Sequence, residues 1–300
     1  MNIEYVKAKG RTGMPKAEAA AKLKDPEATM RLIFRILLIG FVVVNLYPLL
    51  FTLFTSLKTT EEFYENVWSL PHRLFTDNYA QAFVEGHIGE YFFNSLLIAC
   101  VTLALATIFG AFAAYALARL HVPFGAAIVA LMLLVQILPT ESMILPLYMF
   151  MSKIGLMGTR FVPIILAYLG WVLPTTIVVL RSFILTIPAE VLESARIDGS
   201  GEIHTMFRII MPLTGGAIAT CTILNFSYIW GELMWAQLAT LTTDKGVPLT
   251  VGLLNFQGQY QTNWGVLTAA ICIILIPLFV LFLFLQKYFV QGLTTGSVKG

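Results

Sequence analysis

Six stretches, each about 20 or more residues long and mostly apolar, run through the chain near 32–57, 93–118, 125–150, 161–185, 213–236 and 265–290. A hydrocarbon core about 30 Å thick is crossed by about 20 helical residues at 1.5 Å each, so every stretch is long enough to span a bilayer. An unpaired amide or carbonyl in hydrocarbon costs several kcal/mol, which makes these segments helical. The reading is an all-α membrane protein with six transmembrane helices. Its charge agrees, since only 12% of residues are charged where a water-soluble domain carries about 25%.

Orientation follows from the cations. With the N-terminus inside, five of the 19 lysines and arginines fall outside, Lys58, Arg73, Lys153, Arg160 and Lys245, and fourteen fall inside. Positive charge gathers on the cytoplasmic side, so both termini are predicted to be cytoplasmic. Half of the inner set lies in residues 1–31, and the bias is weaker without it. Residues 1–30 read as a solvated tail with no apolar core of signal-peptide type, in which the alanine-rich part at 16–24 can form a short helix. The outer segment 59–92 mixes acids with Phe63, Trp68, Phe75 and Tyr79. It suits a wet loop with a short helix at the membrane surface, or a docking face for an external partner.

A net charge of +2 without a dense basic run excludes nucleic acid as a partner class. Cys100, Cys221 and Cys272 lie in apolar stretches without metal-type spacing and read as small fillers.

One long polar insert falls on the cytoplasmic side, at 188–212. Pro188 suits a first helical turn, and Glu190 places negative charge near that helix's N-terminus. Val191, Ala195 and Ile197 can share an apolar side. Asp198-Gly199 is a turn signal, because glycine accepts positive φ without a side-chain clash. A second short helix is expected toward Pro212, with Ile203, Phe207 and Ile210 at helical spacing. The product is a two-armed bracket across the inner membrane surface. The same pattern also fits an amphipathic loop of any multi-span protein.

Residue identity separates these readings. Glu193-Ser194-Ala195, Asp198-Gly199, and Ile209, Met211 and Pro212 resemble the EAA loop of ATP-binding-cassette (ABC) importer permeases. That pattern is Glu-Ala-Ala, a glycine four residues on, and Ile-x-Leu-Pro ten residues beyond it; Ser194, Met206 beside Phe207, and Met211 are mild departures. The likeness spans roughly residues 30–300 and includes Asn94-Ser95, Ala114-Tyr115-Ala116-Leu117-Ala118-Arg119 and Leu145-Pro146-Leu147-Tyr148. Leu70-Pro71 with Phe75-Thr76-Asp77-Asn78-Tyr79, and the tail at 292–300, are similar to MalG-type permeases of carbohydrate importers.

The resemblance implies a type I ABC importer permease fold in the bacterial cytoplasmic membrane, with a tail at 1–30 and a six-span domain at 31–300. It implies that Glu193, Ser194, Ala195, Asp198, Gly199, Phe207, Ile209 and Pro212 couple to an ATPase. It further implies a second, non-identical permease subunit, two cytoplasmic ATP-binding subunits that use ATP and Mg, and an external solute-binding protein. The tail at 292–300 is then expected to leave the membrane as an extended strand and reach the ATPase pair.

No chemistry of its own is evident in the chain. It has no Gly-x-x-x-x-Gly-Lys-Ser/Thr phosphate loop, no His-Glu-x-x-His and no Gly-x-Ser-x-Gly, and its four histidines are scattered. No catalytic residue, metal ligand or cofactor is assigned, and an enzyme is not expected. Polar groups inside the spans mark either a solute path or helix–helix hydrogen bonds. Glu141, between Pro139 and Pro146, and Asn225, Ser227, Tyr228 and Glu232 in the fifth stretch stand under both readings. Glu141, Asn225 and Tyr228 are the candidate pathway residues. Pro48, Pro139, Pro146, Pro174 and Pro277 are expected to bend their helices. An ion-coupled secondary transporter is the alternative; it needs ionisable groups at mid-membrane, and Glu141 alone supplies one.

Overall fold

The computed structural model describes residues 26–241, 243, 245–256 and 262–297, with side chains of the last helix described as far as Lys287. The short helix expected at 16–24 lies outside them. Among the described residues fourteen α-helical segments follow in order, α1 Pro26–Thr55, α2 Thr60–Glu65, α3 Asp77–Val84, α4 Ile88–Arg119, α5 Gly125–Val135, α6 Thr140–Lys153, α7 Val162–Ile184 and α8 Ala189–Ile197, then α9 Glu202–Thr205, α10 Met211–Leu213, α11 Gly215–Gly231, α12 Met234–Thr240, α13 Leu249–Gly252 and α14 Trp264–Ser297. Among the described residues, α1, α4, α7 and α14 are single helices long and apolar enough to cross a membrane, and two bent pairs bring the number of candidate spans to as many as six.

Among the described residues, those up to Phe54 form one compact unit and those from Thr55 onward form another. In the first, α1 begins at Pro26, five residues before the predicted boundary, with Glu27 in its first turn. At 30 residues it is about 45 Å long. Asn45 Nδ2 and Thr52 Oγ1 donate to the carbonyls of Phe41 and Pro48, at 2.7 and 2.8 Å, so each finds an acceptor within the helix.

In the second unit, α4 and α7 pack most extensively. Small residues make this possible. Ser95, Ala99, Thr102, Ala106, Gly110 and Ala114 recur every three or four positions along α4 and are buried, which lets backbones approach in a medium where apolar burial gives no drive. A Cβ on Gly110 would lie 2.7 Å from the Thr176 methyl of α7.

The two helices run in the same direction, as their polar ends show. At one end Arg160 donates to Asn94 Oδ1 at 3.2 Å, and Asn94 donates to the Val247 carbonyl at 3.0 Å. At the other, Arg119 donates to the carbonyls of Ile184, at 2.6 Å, and Ile187, while Arg181 Nε donates to the Leu117 carbonyl at 3.3 Å. Each arginine thus donates to carbonyls at the C-terminal end of the neighbouring helix, where the backbone dipole favours a cation. Hydrogen bonds to charged groups contribute about 1.5 to 3 kcal/mol, so Arg119→Ala is expected to lower stability by about 2 kcal/mol. Arg119→Lys should recover part of this, since a point charge does not reproduce the guanidinium fork. Thermal unfolding of the solubilised protein checks the order wild type, lysine, alanine.

Three expectations are corrected. The third stretch, predicted as one helix at 125–150, is α5 and α6 set at 102° across a short break. Pro139 there has extended backbone (φ −64°, ψ 126°) and no N–H, so it cannot continue α5 and instead opens α6. The other four prolines lie inside helices that continue through them. The fifth stretch, predicted at 213–236, ends at Gly231, because Glu232 is extended (φ −69°, ψ 133°). Finally, 292–297 does not leave as an extended strand but continues α14 to Ser297. No proline interrupts this stretch, and isolated glycines cost a helix only about 1 kcal/mol each. Residues 298–300 lie outside the described set.

Lys58, counted in the outer set of cations, is 1% exposed. Its ammonium donates to the carbonyls of Asn66 and Val67 and to Ser69 Oγ, at 3.1, 3.2 and 3.1 Å, closing the turn after α2. The short surface helix expected in 59–92 is present twice, as α2 and α3.

Candidate functional site

The insert at 188–212 folds into the expected bracket. Pro188 precedes α8, and Glu190 occupies its first turn. After Asp198, Gly199 adopts φ +75°. The Gly199 amide then reaches the Arg196 carbonyl at 3.0 Å and the Ser200 amide reaches the Ala195 carbonyl at 2.9 Å. This crossed pair is the Schellman closure of a helix C-terminus, and it needs a left-handed residue at the glycine position. The second arm is α9, one π-helical turn at Met206–Ile210, and α10. A 75° bend separates this arm from the span α11.

Packing holds the bracket by one side. Leu192, Ala195, Met206 and Ile210 are buried in a cluster with Ala114, Tyr115, Leu180 and Ile184 of α4 and α7. Glu193, Ser194, Asp198, Gly199 and Pro212 are exposed, Ile209 is half-buried, and Ala195 is covered. Phe207 is partly exposed and meets Phe112 edge-to-face at 5.4 Å. The predicted apolar sides need correction. Ile197 is 86% exposed and Ile203 69% exposed, whereas Met206 is 1% exposed. In the second arm, the π turn adds a residue to the helical repeat and shifts which side chains face inward. A groove of about 710 Å³ runs along the second arm beside Ile203, His204, Phe207 and Arg208.

The two arms are also joined through charge. Arg196 of the first donates Nε and Nη2 to Glu202 Oε1 of the second, at 3.2 and 3.0 Å. The other carboxylate oxygen, Oε2, accepts from the Tyr115 hydroxyl of α4. The Tyr115 hydrogen bond, with Arg196 acting in the same sense, holds the Glu202 carboxyl below its usual range. Ser200 and Thr205 hydroxyls lie 2.8 Å apart across the turn.

Within the spans, the break between α5 and α6 opens two adjoining clefts. One, of about 470 Å³, is lined by Glu141, Trp171, Ser227, Tyr228 and Glu232 among others. The next, of about 310 Å³, includes Gln136, Trp171, Thr175, Asn225 and Tyr228. The structure therefore brings all three candidate pathway residues to one region, in different states. Glu141 is exposed, and Tyr228 sits where the clefts meet. Asn225 is buried and donates to Thr176 Oγ1 of α7 at 2.8 Å, a helix–helix bond.

Glu232 makes the helix–helix hydrogen bond that was one of its two readings, and adds a capping role that sequence reasoning missed. Its Oε1 accepts from the Trp235 amide at 2.8 Å, and its Oε2 accepts from the Ala236 amide at 3.1 Å and from the Tyr168 hydroxyl at 2.7 Å. The carboxylate caps α12 and ties it to α7. An acidic residue between Gly231 and a run of apolar residues was the available signal for a helix start. Trp171, which borders both clefts, was also missed, because one tryptophan in an apolar run carries no such signal.

The family described as binding-protein-dependent transport system inner membrane component matches residues 106–295. Among relatives, the probable ABC transporter permease protein YurM of Bacillus subtilis (strain 168) is 33% identical, across 87% of this chain and 86% of its own. The melibiose/raffinose/stachyose import permease protein MelC of the same strain is 34% identical, across 84% and 91%. The trehalose transport system permease protein SugB of Mycobacterium tuberculosis (strain CDC 1551 / Oshkosh) is 32% identical, across 91% and 98%. Among solved structures, a chain of a bacterial ABC transporter that imports the acidic polysaccharide alginate superposes with a TM-score of 0.78, covering 89% of this chain and 98% of that one at 21% identity. The all-α architecture, its broken spans and its inward-packed bracket are those of an importer permease, and the chain belongs to the family of inner membrane components of binding-protein-dependent transport systems.

Proposed function

We propose that this chain is one of two non-identical permease subunits of an ABC importer for a carbohydrate. The observation that carries the reading is the bracket, whose inner side is packed on α4 and α7 while Glu193, Ser194, Asp198 and Gly199 face outward. A loop held rigidly to the spans and exposed along one side is suited to be gripped by a soluble partner. Two ATP-binding subunits take that place and supply the energy, with ATP and Mg bound by them. Both termini and the bracket are cytoplasmic, and an external solute-binding protein delivers from the opposite side.

Several relatives are named for saccharide import, which supports a carbohydrate. The larger cleft supports an uncharged one. Among the described residues it is lined by two carboxylates, Glu141 and Glu232, with no lysine, arginine or histidine, so an acidic saccharide meets repulsion there. Trp171 and Tyr228 line the same cleft with aromatic rings, which suit the apolar faces of sugars. Closure of the ATPase pair draws the brackets together, and α4 and α7 carry that motion to the clefts.

The test is uptake by vesicles that hold the whole complex with its binding protein. Uptake of a neutral oligosaccharide is expected to need internal ATP and to persist when ionophores collapse proton and sodium gradients. This chain purified alone is expected not to turn over ATP. Gradient-driven uptake without ATP overturns the reading in favour of an ion-coupled carrier with Glu141 as its titrating group.

A further inference from the structure

The bracket's packing accounts for its attachment, but not for the polar triad at its base. Tyr115 lies in the last two turns of α4, Arg196 ends the first arm, and Glu202 begins the second. Glu202 is bonded to both, one carboxylate oxygen to each. Each arm is therefore tied to the other and, through a single hydroxyl, to α4. Arg119, one helical turn beyond Tyr115, holds the carbonyls of Ile184 and Ile187 just ahead of α8. The end of α4 thus touches the bracket at both places where a displacement could slip past it, the entry to the first arm and the start of the second.

We propose that Tyr115, Glu202 and Arg196 are positioning residues that form a latch, through which movement of the bracket is delivered to α4. The inference rests on the reading of the bracket as the part gripped by the ATPase. Hydrophobic contacts alone hold the bracket near α4 but are non-directional, so the two can slide. Hydrogen bonds donated to a carboxylate fix distance and angle together. With the latch closed, bracket and helix end move as one body. With it open, ATP is still hydrolysed and the bracket still moves, but less of that motion reaches the clefts.

The experiment uses the assembled complex in vesicles and reads two quantities, ATP hydrolysed and neutral saccharide taken up. Tyr115→Phe removes one hydroxyl and keeps the buried ring. It is expected to leave co-purification of the ATPase at the wild-type level while solute moved per ATP falls about fivefold or more, within the usual range of site-to-site coupling. Glu202→Ala should do the same, and the double variant should be no worse than either single one, because both break one connection. Glu202→Asp, which keeps the charge, should recover part of the ratio.

An unchanged ratio in Tyr115→Phe and Glu202→Ala overturns the latch, as does a fall in which both variants also lose the ATPase, since that is the signature of a merely structural role. The underlying reading is tested separately by Glu193→Lys. If that variant loses the ATPase while the latch variants couple normally, the bracket stands and the latch falls. If Glu193→Lys also behaves as wild type, the reading beneath the latch falls with it.

Discussion

Replacing Glu193 with lysine is expected to strip the ATPase from the membrane complex while this chain remains inserted and folded. Glu193 points away from the cluster that holds α8, and its carboxylate has no partner within the chain among the described residues, so it is available to a cation of the soluble subunit. When such a pair is desolvated in an interface, removing one member costs roughly 2 to 5 kcal/mol, much of it from the stranded charge. That corresponds to about 30-fold or more in affinity. Gly199→Val should reach the same end differently. A Cβ there meets nothing within 4 Å, so crowding is not the cause. The strain comes from φ +75°, where a branched residue costs about 1 to 3 kcal/mol. Relieving it opens the Schellman closure and changes the angle between the arms. Asparagine tolerates the left-handed region, so Gly199→Asn is expected to remain near wild type. Co-purified ATPase and ATP-dependent uptake, at matched membrane levels, check the series. A merely solvated loop predicts a change within about 0.5 kcal/mol for an exposed substitution such as that at Glu193; wild-type co-purification and uptake in both Glu193→Lys and Gly199→Val would refute the coupling role.

How much of this could be read in advance depends on the range of each interaction. The spans were legible because apolarity over about 20 residues is a local property. Gly199 was legible because a turn's demand on φ is met by one residue type. The break before Pro139 was only half-legible. Proline marks a disturbance, but whether the helix bends or restarts depends on what the freed backbone finds nearby. Ile197 was misplaced because it stands two residues after Ala195 on the regular helix α8, about 200° round its axis, and Ile203 because its face was projected from an ideal 3.6-residue repeat, which the π turn at Met206–Ile210 breaks. Tyr115 and Glu202 are 87 residues apart, and nothing local to either names the other. Their meeting is a product of α4 packing on the bracket. The same holds for Tyr168 and Glu232, 64 residues apart.

At the opposite end of the spans, Glu232→Ala is expected to be the most destabilising single change around the clefts. Three donors depend on this carboxylate, the Trp235 and Ala236 amides and the Tyr168 hydroxyl. Their residues are 0%, 0% and 2% exposed, so water does not readily replace the lost acceptor. A buried donor left unsatisfied costs about 1 to 3 kcal/mol, and loss of a helix-capping acceptor costs about 0.5 to 2 kcal/mol. These overlap, because one carboxylate serves all three, and a net loss of about 3 kcal/mol is expected from the same ranges. Glu232→Gln keeps one acceptor oxygen and the shape, and should cost about 1 kcal/mol. The decisive comparison is with Tyr168→Phe. If the Tyr168–Glu232 bond holds α7 to α12, adding Tyr168→Phe to Glu232→Ala removes a stranded donor and should return part of the lost stability. If the carboxylate serves only the solute, Glu232→Ala should abolish uptake yet unfold at the wild-type temperature. Thermal unfolding and uptake measured on the four variants separate a structural cap from a pathway group, and the three bonds to buried donors favour the cap.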